Sequence, residues 1–270
     1  MTKPFEGMER FVGLTHGKTR YFEKGSGEPV ILLHGAGFAE GALTWWANID
    51  ALAEHFHVLA PDMLGWGTGD QLERNLAFPY LSNHVREFQD ALGIERSHMV
   101  GHSLGGWVAQ ILAYESPNRV LRLALCGAAG NHADHVPAGL LNFQPPTKEQ
   151  IFEKNASIEF LDDEGRNHLS ELQWAVVSKP GSAEAYKTML SYMTFIEERK
   201  LYVTPRLWAH ITPETLVLSA TEDVSYPPEV GKQMAETMPH AHQVVLEGSH
   251  YMINDNPKVT NDLLVEFLKG

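Results

Sequence analysis

The chain has 270 residues, which suffices for one large single-core domain or for a domain that carries a sizeable insertion. Its 34 acidic and 21 basic side chains give a formal net charge of −13, and no block of Lys or Arg occurs that would bind a phosphate backbone, so nucleic-acid binding is not expected. No apolar run reaches the ~20 residues needed to cross a bilayer, and the first residues, MTKPFEGMER, lack the apolar segment of a secretion signal, so we expect a cytoplasmic protein without membrane contact.

The predicted elements alternate between short aliphatic strands and longer segments with helical spacing. The first segment, FVGLTHGKTRYFEKGSG, is typical of an antiparallel hairpin. Six predicted strands follow it: VILLHGAG (30–37), HVLAPDMLGWG (57–67), SHMVGHS (97–103), VLRLALCGAAG (120–130), TLVLSATED (215–223) and QVVLEGSH (243–250). Helices are predicted at 80–92, 104–116, 227–238 and 257–269. This order favours an α/β fold with a mostly parallel, doubly wound sheet and an antiparallel N-terminal edge.

One long interval, residues 131–210, lacks strand signals and shows helical patterns that contain Phe, Trp, Tyr and Met. These patterns are IFEKNASIEFL, LSELQWAVV and AEAYKTMLSYMTFI. An interval of this length between two core strands is too long for a loop, so we expect a helical cap inserted after the sixth strand. The α/β core then comprises residues 1–130 and 211–270, and the cap lies over the carboxyl edge of the sheet, where open α/β folds bind ligands.

The segment MVGHSLGGW (99–107) places a serine between two glycines where a predicted strand gives way to a predicted helix. This is the context of a nucleophile elbow, in which the turn forces the serine into a strained backbone conformation. Side chains at Gly101 and Gly105 would collide with the neighbouring strand and helix, and Gly106 allows the helix to pack closely. Ser103 is therefore the predicted nucleophile.

A serine hydroxyl needs a base that accepts its proton and an acid that orients the base. His250 closes the last predicted strand in VVLEGSHYMIN and is the predicted general base. Asp223, at the end of TLVLSATED, is the predicted acid, with Glu222 and Asp62 as the alternatives. The chain order serine, acid, histidine is the order that accompanies a nucleophile elbow.

The predicted oxyanion hole has two backbone donors, the N–H of Leu104 directly after the nucleophile and the N–H of Ala36 in the turn HGAG. Within that turn, His34 is interpreted first as a structural hydrogen-bonding residue and second as a direct participant. The residues predicted to contact substrate are His34, Gly35, Gly37, His102, Trp174 and Tyr251.

Cysteine and histidine usage predicts no further site. Cys126 is the only cysteine, which excludes an intramolecular disulfide, fits a reducing compartment and predicts a buried apolar role. The 14 histidines include close pairs without the spacing of a metal motif, so no metal and no other cofactor is expected. The pairs are His55/His57, His132/His135 and His240/His242.

The motifs HGAG and GHSLGG, followed by the strand ends at Asp223 and His250, make the sequence resemble the α/β-hydrolase superfamily over nearly its full length. Within it, VLAPDMLGWG, LALCGAAG and PPTKEQIFE make the sequence similar to the capped serine hydrolases, which include the meta-cleavage-product hydrolases and related carboxylesterases. The resemblance implies that Ser103, Asp223 and His250 form the catalytic triad and that no cofactor takes part.

Two positions differ from the carbon–carbon bond hydrolases of that group. Those enzymes carry a tryptophan after the catalytic histidine, where this chain has Tyr251. They also carry a cap arginine that meets the substrate carboxylate, where SELQWAVVSKPG offers Gln173 and Trp174. Because a buried carboxylate without a cationic partner is costly, these differences favour an uncharged substrate.

The predicted function is a serine hydrolase that cleaves a carboxylic ester, or a related activated acyl bond, of a small hydrophobic substrate. The alternative is hydrolysis of a carbon–carbon bond in a vinylogous diketone of the meta-cleavage type. A cofactor-free haloperoxidase and a non-catalytic small-molecule binder remain open, whereas a haloalkane dehalogenase would need a carboxylate in place of Ser103. A homo-oligomer is compatible with the sequence, which determines neither the oligomeric state nor the natural substrate.

Overall fold

An eight-stranded sheet with the spatial order β1-β2-β4-β3-β5-β6-β7-β8 organises the computed structural model, which describes residues 3–71, 77–134, 136 and 138–270. The strands are β1 (Glu9–Leu14), β2 (Gly17–Lys24), β3 (Pro29–Leu33), β4 (His57–Pro61), β5 (Ser97–His102), β6 (Val120–Cys126), β7 (Glu214–Ala220) and β8 (Ala241–Leu246). Strand β2 is antiparallel to both of its neighbours, and the other neighbouring strands are parallel. The predicted mostly parallel sheet with an antiparallel N-terminal edge is confirmed.

Helices cover both faces of this sheet. They are α1 (Ile49–Ala53), α2 (Phe78–Ala91), α3 (Leu104–Glu115), α4 (Ala138–Leu141), α5 (Lys148–Ala156), α6 (Asp163–Val177), α7 (Ser182–Met193), α8 (Ile196–Tyr202), α9 (Pro228–Thr237), α10 (Met252–Asp255) and α11 (Pro257–Lys269). Among the described residues, no helix combines the length and the apolar composition that a bilayer crossing requires.

Strand β3 shows why its sequence is continuously apolar. Ile31 and Leu33 belong to the core that α2, α3 and α9 cover, whereas Val30 and Leu32 belong to the core on the opposite face with α1 and α11. Successive side chains of a strand point to opposite faces, so a strand covered on both sides must be apolar throughout. The doubly wound arrangement inferred from such runs is confirmed.

The helices predicted outside the interval 131–210 form as α2, α3, α9 and α11, with ends that shift by two residues or fewer. Inside the interval, α4 to α8 lie between β6 and β7, so the helical insertion follows the sixth strand as expected. The limits of a separate cap domain at 131 and 210 stay a prediction.

Polar capping places two helix boundaries that the apolar spacing missed. The segment IFEKNASIEFL predicts one helix, but α5 ends at Ala156 and the chain turns before α6 begins. Thr147 and Gln150 form a capping box at the start of α5, and the Asp162 side chain accepts the N–H of Gly165 at 2.8 Å at the start of α6. Because caps satisfy the free N–H groups of a first turn, they fix helix starts independently of apolar periodicity.

His84 of α2 is buried against the antiparallel edge of the sheet. Its side chain is 2% exposed, and its Nε2 atom lies 2.9 Å from Oγ1 of Thr19 on β2. Burial, together with smaller effects of His16 and His34, lowers the pKa of His84 to about 3. The folded protein therefore keeps this imidazole neutral through the mildly acidic range.

We expect the His84→Gln variant to lose less stability than the wild type when the pH falls from 7 to 5. In the wild type, the unfolded chain binds a proton at His84 near pH 6.5 but the folded chain does so only near pH 3, so the free energy of unfolding falls with pH. The two losses should differ by about 2 kcal/mol in urea unfolding experiments. The control is His240→Gln, which changes an exposed histidine. Equal losses for His84→Gln and the wild type would contradict this expectation.

Candidate active site

Ser103 occupies the sharp turn between β5 and α3, where its backbone has φ 52° and ψ −114°. A positive φ is unfavourable for a residue with a side chain, and strain of this kind costs ~1–3 kcal/mol. The N–H of Ser103 donates to the carbonyl of Cys126 at 3.0 Å, and its carbonyl accepts the N–H of Ala129 at 3.0 Å. These hydrogen bonds to the end of β6 hold the strained turn in place.

Three glycines around the turn are required by close approach of the backbone. A Cβ at Gly101 would lie 2.6 Å from the carbonyl oxygen of Gly105, and a Cβ at Gly106 would lie 2.5 Å from the Cβ of Ala128. A Cβ at Gly105 would overlap the carbonyl oxygen of Leu33. The pattern GHSLGG therefore has a steric cause, because the backbone of β3 and of α3 already fills the space beside the serine.

The carboxylate of Asp223 and the imidazole of His250 meet at the ends of β7 and β8. Asp223 Oδ2 lies 2.7 Å from Nδ1 of His250, and Asp223 Oδ1 accepts the N–H groups of Ser225 and Tyr226, each at 2.9 Å. Since a carboxylate only accepts, Nδ1 of His250 carries the proton in this contact. The lone pair of His250 Nε2 is then available to accept a proton.

The two alternative acids have other surroundings. Glu222 is exposed to solvent. Asp62 is buried, pairs through Oδ2 with Nε of Arg20 at 2.6 Å and accepts the N–H of Ala42 through Oδ1 at 2.9 Å. Of the three carboxylates, Asp223 is the one that is hydrogen-bonded to His250. Its catalytic role stays a prediction.

A cavity of about 230 Å³ opens above the serine between the edge of the sheet and the cap helices. Ser103, Leu104, Ala36, Gly37 and His250 line its core side. The other lining residues are Trp107, Ala129, Gly139, Leu140, Met193, Arg199, Ser225, Tyr226 and Tyr251. The structure thus brings the predicted nucleophile, the predicted base and both predicted oxyanion residues to one cavity.

The two residues of the predicted oxyanion hole are held by different parts of the fold. The carbonyl of Ala36 accepts the hydroxyl of Tyr186 from α7, whose ring packs on Phe38 with centroids 4.8 Å apart. Leu104 is the first residue of α3, so its N–H lies at a helix N-terminus, where N–H groups are free and the potential is positive. Donation by these two N–H groups to an oxyanion stays a prediction.

His34 is completely buried beneath the turn HGAG and does not line the cavity. The N–H of Met63 donates to Nε2 of His34 at 2.8 Å, so Nδ1 carries the proton and donates to the carbonyl of Gly35 at 2.7 Å. Burial lowers the pKa of His34, which favours this neutral form. The side chain fastens the turn after β3 to the segment after β4, which is a structural role.

His102 and Gly35 lie behind the serine and outside the lining of the cavity. Nε2 of His102 donates to the carbonyl of His250 at 2.9 Å, and a Cβ at Gly35 would lie 3.1 Å from Nδ1 of His102. Burial, reinforced by His250, lowers the pKa of His102 to about 3. His102 is therefore a neutral donor that supports the backbone of His250. A contact of either residue with substrate stays untested.

Of the three remaining predicted substrate contacts, two line the cavity and one does not. Gly37 and Tyr251 line the cavity above Ser103, whereas Trp174 of α6 does not. Trp174 is half-buried and packs against the apolar core. The neighbouring Gln173 accepts a hydrogen bond from Asn155 at 2.7 Å within the cap.

Arg199 of α8 is a cavity residue that the sequence analysis missed. Its side chain is 4% exposed and lines the cavity above Ser103. Nε donates to the carbonyl of Ala133 at 2.6 Å, and Nη1 donates to the carbonyl of Met193 at 3.1 Å. Its guanidinium also lies 4.8 Å from the ring centroid of Trp107. The sequence IEERK resembles a solvated charge run, so it gave no sign of a buried cation.

Gly127, directly after β6, is a second residue that sequence analysis did not single out. Its φ is +50°, and a Cβ there would lie 3.0 Å from Oδ2 of Asp223 and 3.2 Å from Nδ1 of His250. The signal available in the sequence was its place at a strand end, in LALCGAAG. The absence of a side chain leaves room for the Asp223–His250 pair.

Histidine clustering gives no metal site in the part of the chain that the structure describes. There, no group of three or more His, Cys, Asp or Glu could hold a metal ion. His135, a member of one histidine pair, lies outside the described residues. Cys126 is buried, and burial raises the pKa of its thiol to about 12, so the thiol stays neutral.

Comparison with known proteins gives concordant results. Residues 30–263 match the model of the alpha/beta hydrolase family. The 2-hydroxymuconate semialdehyde hydrolase of Pseudomonas sp. strain CF600 is 30% identical over 244 residues, which are 83% of this chain and 80% of that protein. The meta-cleavage product hydrolase structure from Pseudomonas fluorescens IP01 has a TM-score of 0.81 and 27% identity, and the match covers 96% of this chain and 97% of that one.

A more similar but shorter match is an uncharacterized protein of Mycobacterium tuberculosis, 41% identical over 116 residues, or 43% of this chain. The match spans 33% of that protein's own length, so it says little about the protein as a whole. The match to the Pseudomonas fluorescens structure covers nearly the whole of both chains, so the two proteins share the fold. The chain belongs to the alpha/beta hydrolase family.

Proposed function

We propose that the protein is a serine hydrolase that cleaves a carboxylic ester, or a related activated acyl bond, of a small and mainly apolar substrate. One observation carries this proposal. The same cavity is bordered by Ser103 in its strained turn, by His250 with its hydrogen bond to Asp223, by Ala36 in the turn after β3 and by Leu104 at the start of α3. A nucleophile, an oriented base and candidate oxyanion donors around one small space are the requirements of acyl transfer.

In the first half of the reaction, Nε2 of His250 takes the proton of Ser103 while its Oγ attacks the acyl carbon. The negative charge that develops on the carbonyl oxygen is stabilised by the N–H groups of Ala36 and Leu104. Asp223 stabilises the imidazolium and keeps its orientation. The imidazolium then gives its proton to the departing alcohol oxygen, which leaves an acyl group on Ser103.

In the second half, a water molecule replaces the alcohol. His250 accepts a proton from this water, the resulting hydroxide attacks the acyl carbon, and the same two N–H groups stabilise the second oxyanion. Collapse of this intermediate returns the proton to Ser103 and releases the carboxylic acid. No cofactor takes part in any step.

The lining of the cavity supports a short, apolar acyl group. Its apolar side chains include Leu140 and Met193 from the cap and Trp107 from α3, and none of its described lining residues carries a carboxylate. Its volume of about 230 Å³ lies below the ~300–1,000 Å³ typical of sites for drug-sized ligands. Long acyl chains therefore fit poorly.

A second candidate function is hydrolysis of a carbon–carbon bond in a vinylogous diketone. Two observations favour it: the likeness to hydrolases of meta-cleavage products, and the buried cation Arg199 in the cavity lining. A substrate carboxylate would be attracted by Arg199, although its guanidinium already donates to backbone carbonyls. The ester substrate is favoured by Tyr251 and Gln173, which stand where the carbon–carbon bond hydrolases carry a tryptophan and a cap arginine.

The two candidates are separated by their substrates. We expect rapid turnover of p-nitrophenyl acetate and p-nitrophenyl butyrate and no turnover of a meta-ring-fission product, because the cavity is small and mainly apolar. Release of p-nitrophenolate and loss of the dienoate absorbance measure the two reactions. Rapid cleavage of the ring-fission product with slow ester hydrolysis would reverse the assignment.

Asp223→Asn should lower kcat for p-nitrophenyl butyrate by about 10³- to 10⁴-fold, because an amide no longer fixes the tautomer of His250. The matched control is Glu222→Gln, which changes the adjacent, exposed carboxylate and should leave kcat close to that of the wild type. Steady-state kinetics measure both variants. A large loss in Glu222→Gln with little loss in Asp223→Asn would show that the acid has been misassigned.

A fluorophosphonate probe should label the wild type at Ser103 and fail to label Ser103→Ala, because only an activated hydroxyl attacks phosphorus at a useful rate. Mass spectrometry of the labelled peptide identifies the residue. Circular dichroism of Ser103→Ala is the control that tests whether the variant is folded. A folded wild type that takes up no probe would point to a small-molecule binder on this fold.

A further inference from the structure

A second cavity, of about 450 Å³, lies between the cap and the core on the other side of Tyr251. Lys154 and Asn155 of α5 and Gln173 of α6 line its cap side. Glu40 and Asn254 belong to its core side. Tyr251 lines this cavity and also the cavity above Ser103, so the two cavities share this residue.

An ion pair joins the two sides of this second cavity. Nζ of Lys154 lies 2.6 Å from Oε1 of Glu40, whose other oxygen accepts the hydroxyl of Thr44 at 3.3 Å. Burial alone would raise the pKa of Glu40, but Lys154 outweighs it and holds the pKa below the ordinary value. The nearby carboxylate of Glu40, together with burial, raises the pKa of the Tyr251 hydroxyl. The wall of the cavity thus contains a charged acceptor and a charged donor side by side.

Asn254 supplies an acceptor that lacks a donor. Its Nδ2 donates to the carbonyl of Thr44 at 3.2 Å, but its buried Oδ1 receives no hydrogen bond from the described residues. A buried polar atom without a partner costs about 1–3 kcal/mol, which a bound donor group would relieve. Because Asn254 is a lining residue of the cavity, its unpartnered oxygen points to a ligand with a hydrogen-bond donor.

The position of the cavity relative to His250 connects it to the reaction. Tyr251 directly follows His250, and the centroids of their rings are 5.7 Å apart. Because His250 gives its proton to the departing alcohol oxygen, the alcohol leaves on the side of this histidine. Because Tyr251 lines both cavities, the second cavity is the neighbour of the cavity in which the ester is cleaved.

We propose that the second cavity binds the alcohol part of the ester and selects a neutral alcohol that carries additional hydroxyl groups. This inference rests on the proposed function. A hydroxyl group both donates and accepts, so it can donate to Asn254 Oδ1 and accept from the ammonium of Lys154. An anionic alcohol would meet the carboxylates of Glu159 and Asp255 in the lining. A quaternary ammonium would be attracted by these carboxylates, but it has no donor for Asn254 Oδ1 and no acceptor for the ammonium of Lys154.

The test compares two esters of the same acid, glyceryl monobutyrate and ethyl butyrate. We expect kcat/KM of the wild type to be about tenfold higher for the glyceryl ester. Asn254→Leu should abolish this preference by raising KM for the glyceryl ester alone, with kcat and the kinetics of ethyl butyrate little changed. Lys154→Met should act in the same direction and covers the case in which Asn254→Leu does not fold.

The matched control is Lys148→Met. Lys148 also lies on α5 and pairs with a carboxylate, Glu171, at 2.8 Å, but it does not line the cavity. This variant should keep the preference of the wild type. Equal kcat/KM for the two esters in the wild type, or faster cleavage of butyrylcholine than of glyceryl monobutyrate, would overturn the proposal.

Binding to Ser103→Ala separates failure of this subsite from failure of the proposed function. Calorimetry with glyceryl monobutyrate and ethyl butyrate measures binding without turnover. Tighter binding of the glyceryl ester supports the subsite even if the wild type hydrolyses neither ester, in which case the proposed function fails alone. Equal binding, with normal hydrolysis of p-nitrophenyl butyrate by the wild type, overturns the subsite alone.

Discussion

Steric crowding where β5 turns into α3 is the constraint on which the site depends. The start of α3 leaves no space for a side chain at position 101, the backbone at the end of β3 leaves none at position 105, and Ala128 after β6 leaves none at position 106, and the chain has glycine at all three positions. Ser103 keeps its positive φ because its N–H and its carbonyl are both hydrogen-bonded to the backbone at the end of β6. A strained residue persists only where its surroundings determine its conformation, and here those surroundings are the buried ends of β3, β5 and β6.

The sheet order shows which strand ends lie between the serine and the histidine. Strand β5 is separated from β8 by β6 and β7, and Ser103 and His250 nevertheless line one cavity. Asp223 at the end of β7 holds its ring from behind, and Gly127 at the end of β6 leaves the space that the pair occupies. His102 at the end of β5 holds the carbonyl of His250. Of the two intervening strand ends, the end of β7 therefore contributes a hydrogen bond, and the end of β6 contributes a glycine without a side chain.

The cap contributes directly to the shape of the site. Tyr186 of α7 donates to the carbonyl of Ala36, Lys154 of α5 pairs with Glu40, and Arg199 of α8 is buried beside Trp107. The turn that carries Ala36 is thus held from above by the cap and from below by His34. Tyr251 lines both the second cavity and the cavity above Ser103, and residues of the cap helices contribute side chains to the lining of each.

The sequence was sufficient for the sheet, for α2, α3, α9 and α11, and for the strand ends at Ser103, Asp223 and His250, because local periodicity and glycine placement are properties of short segments. It favoured Asp223 over Glu222 and Asp62 as the acid, but the hydrogen bonds of Asp62 to Arg20 and of Asp223 to His250 became visible only in the folded chain. The burial of Arg199 and the second cavity lined by Tyr251 were not predictable. Burial of a charge depends on contacts between distant segments of the chain, and a short run such as IEERK carries no information about those contacts.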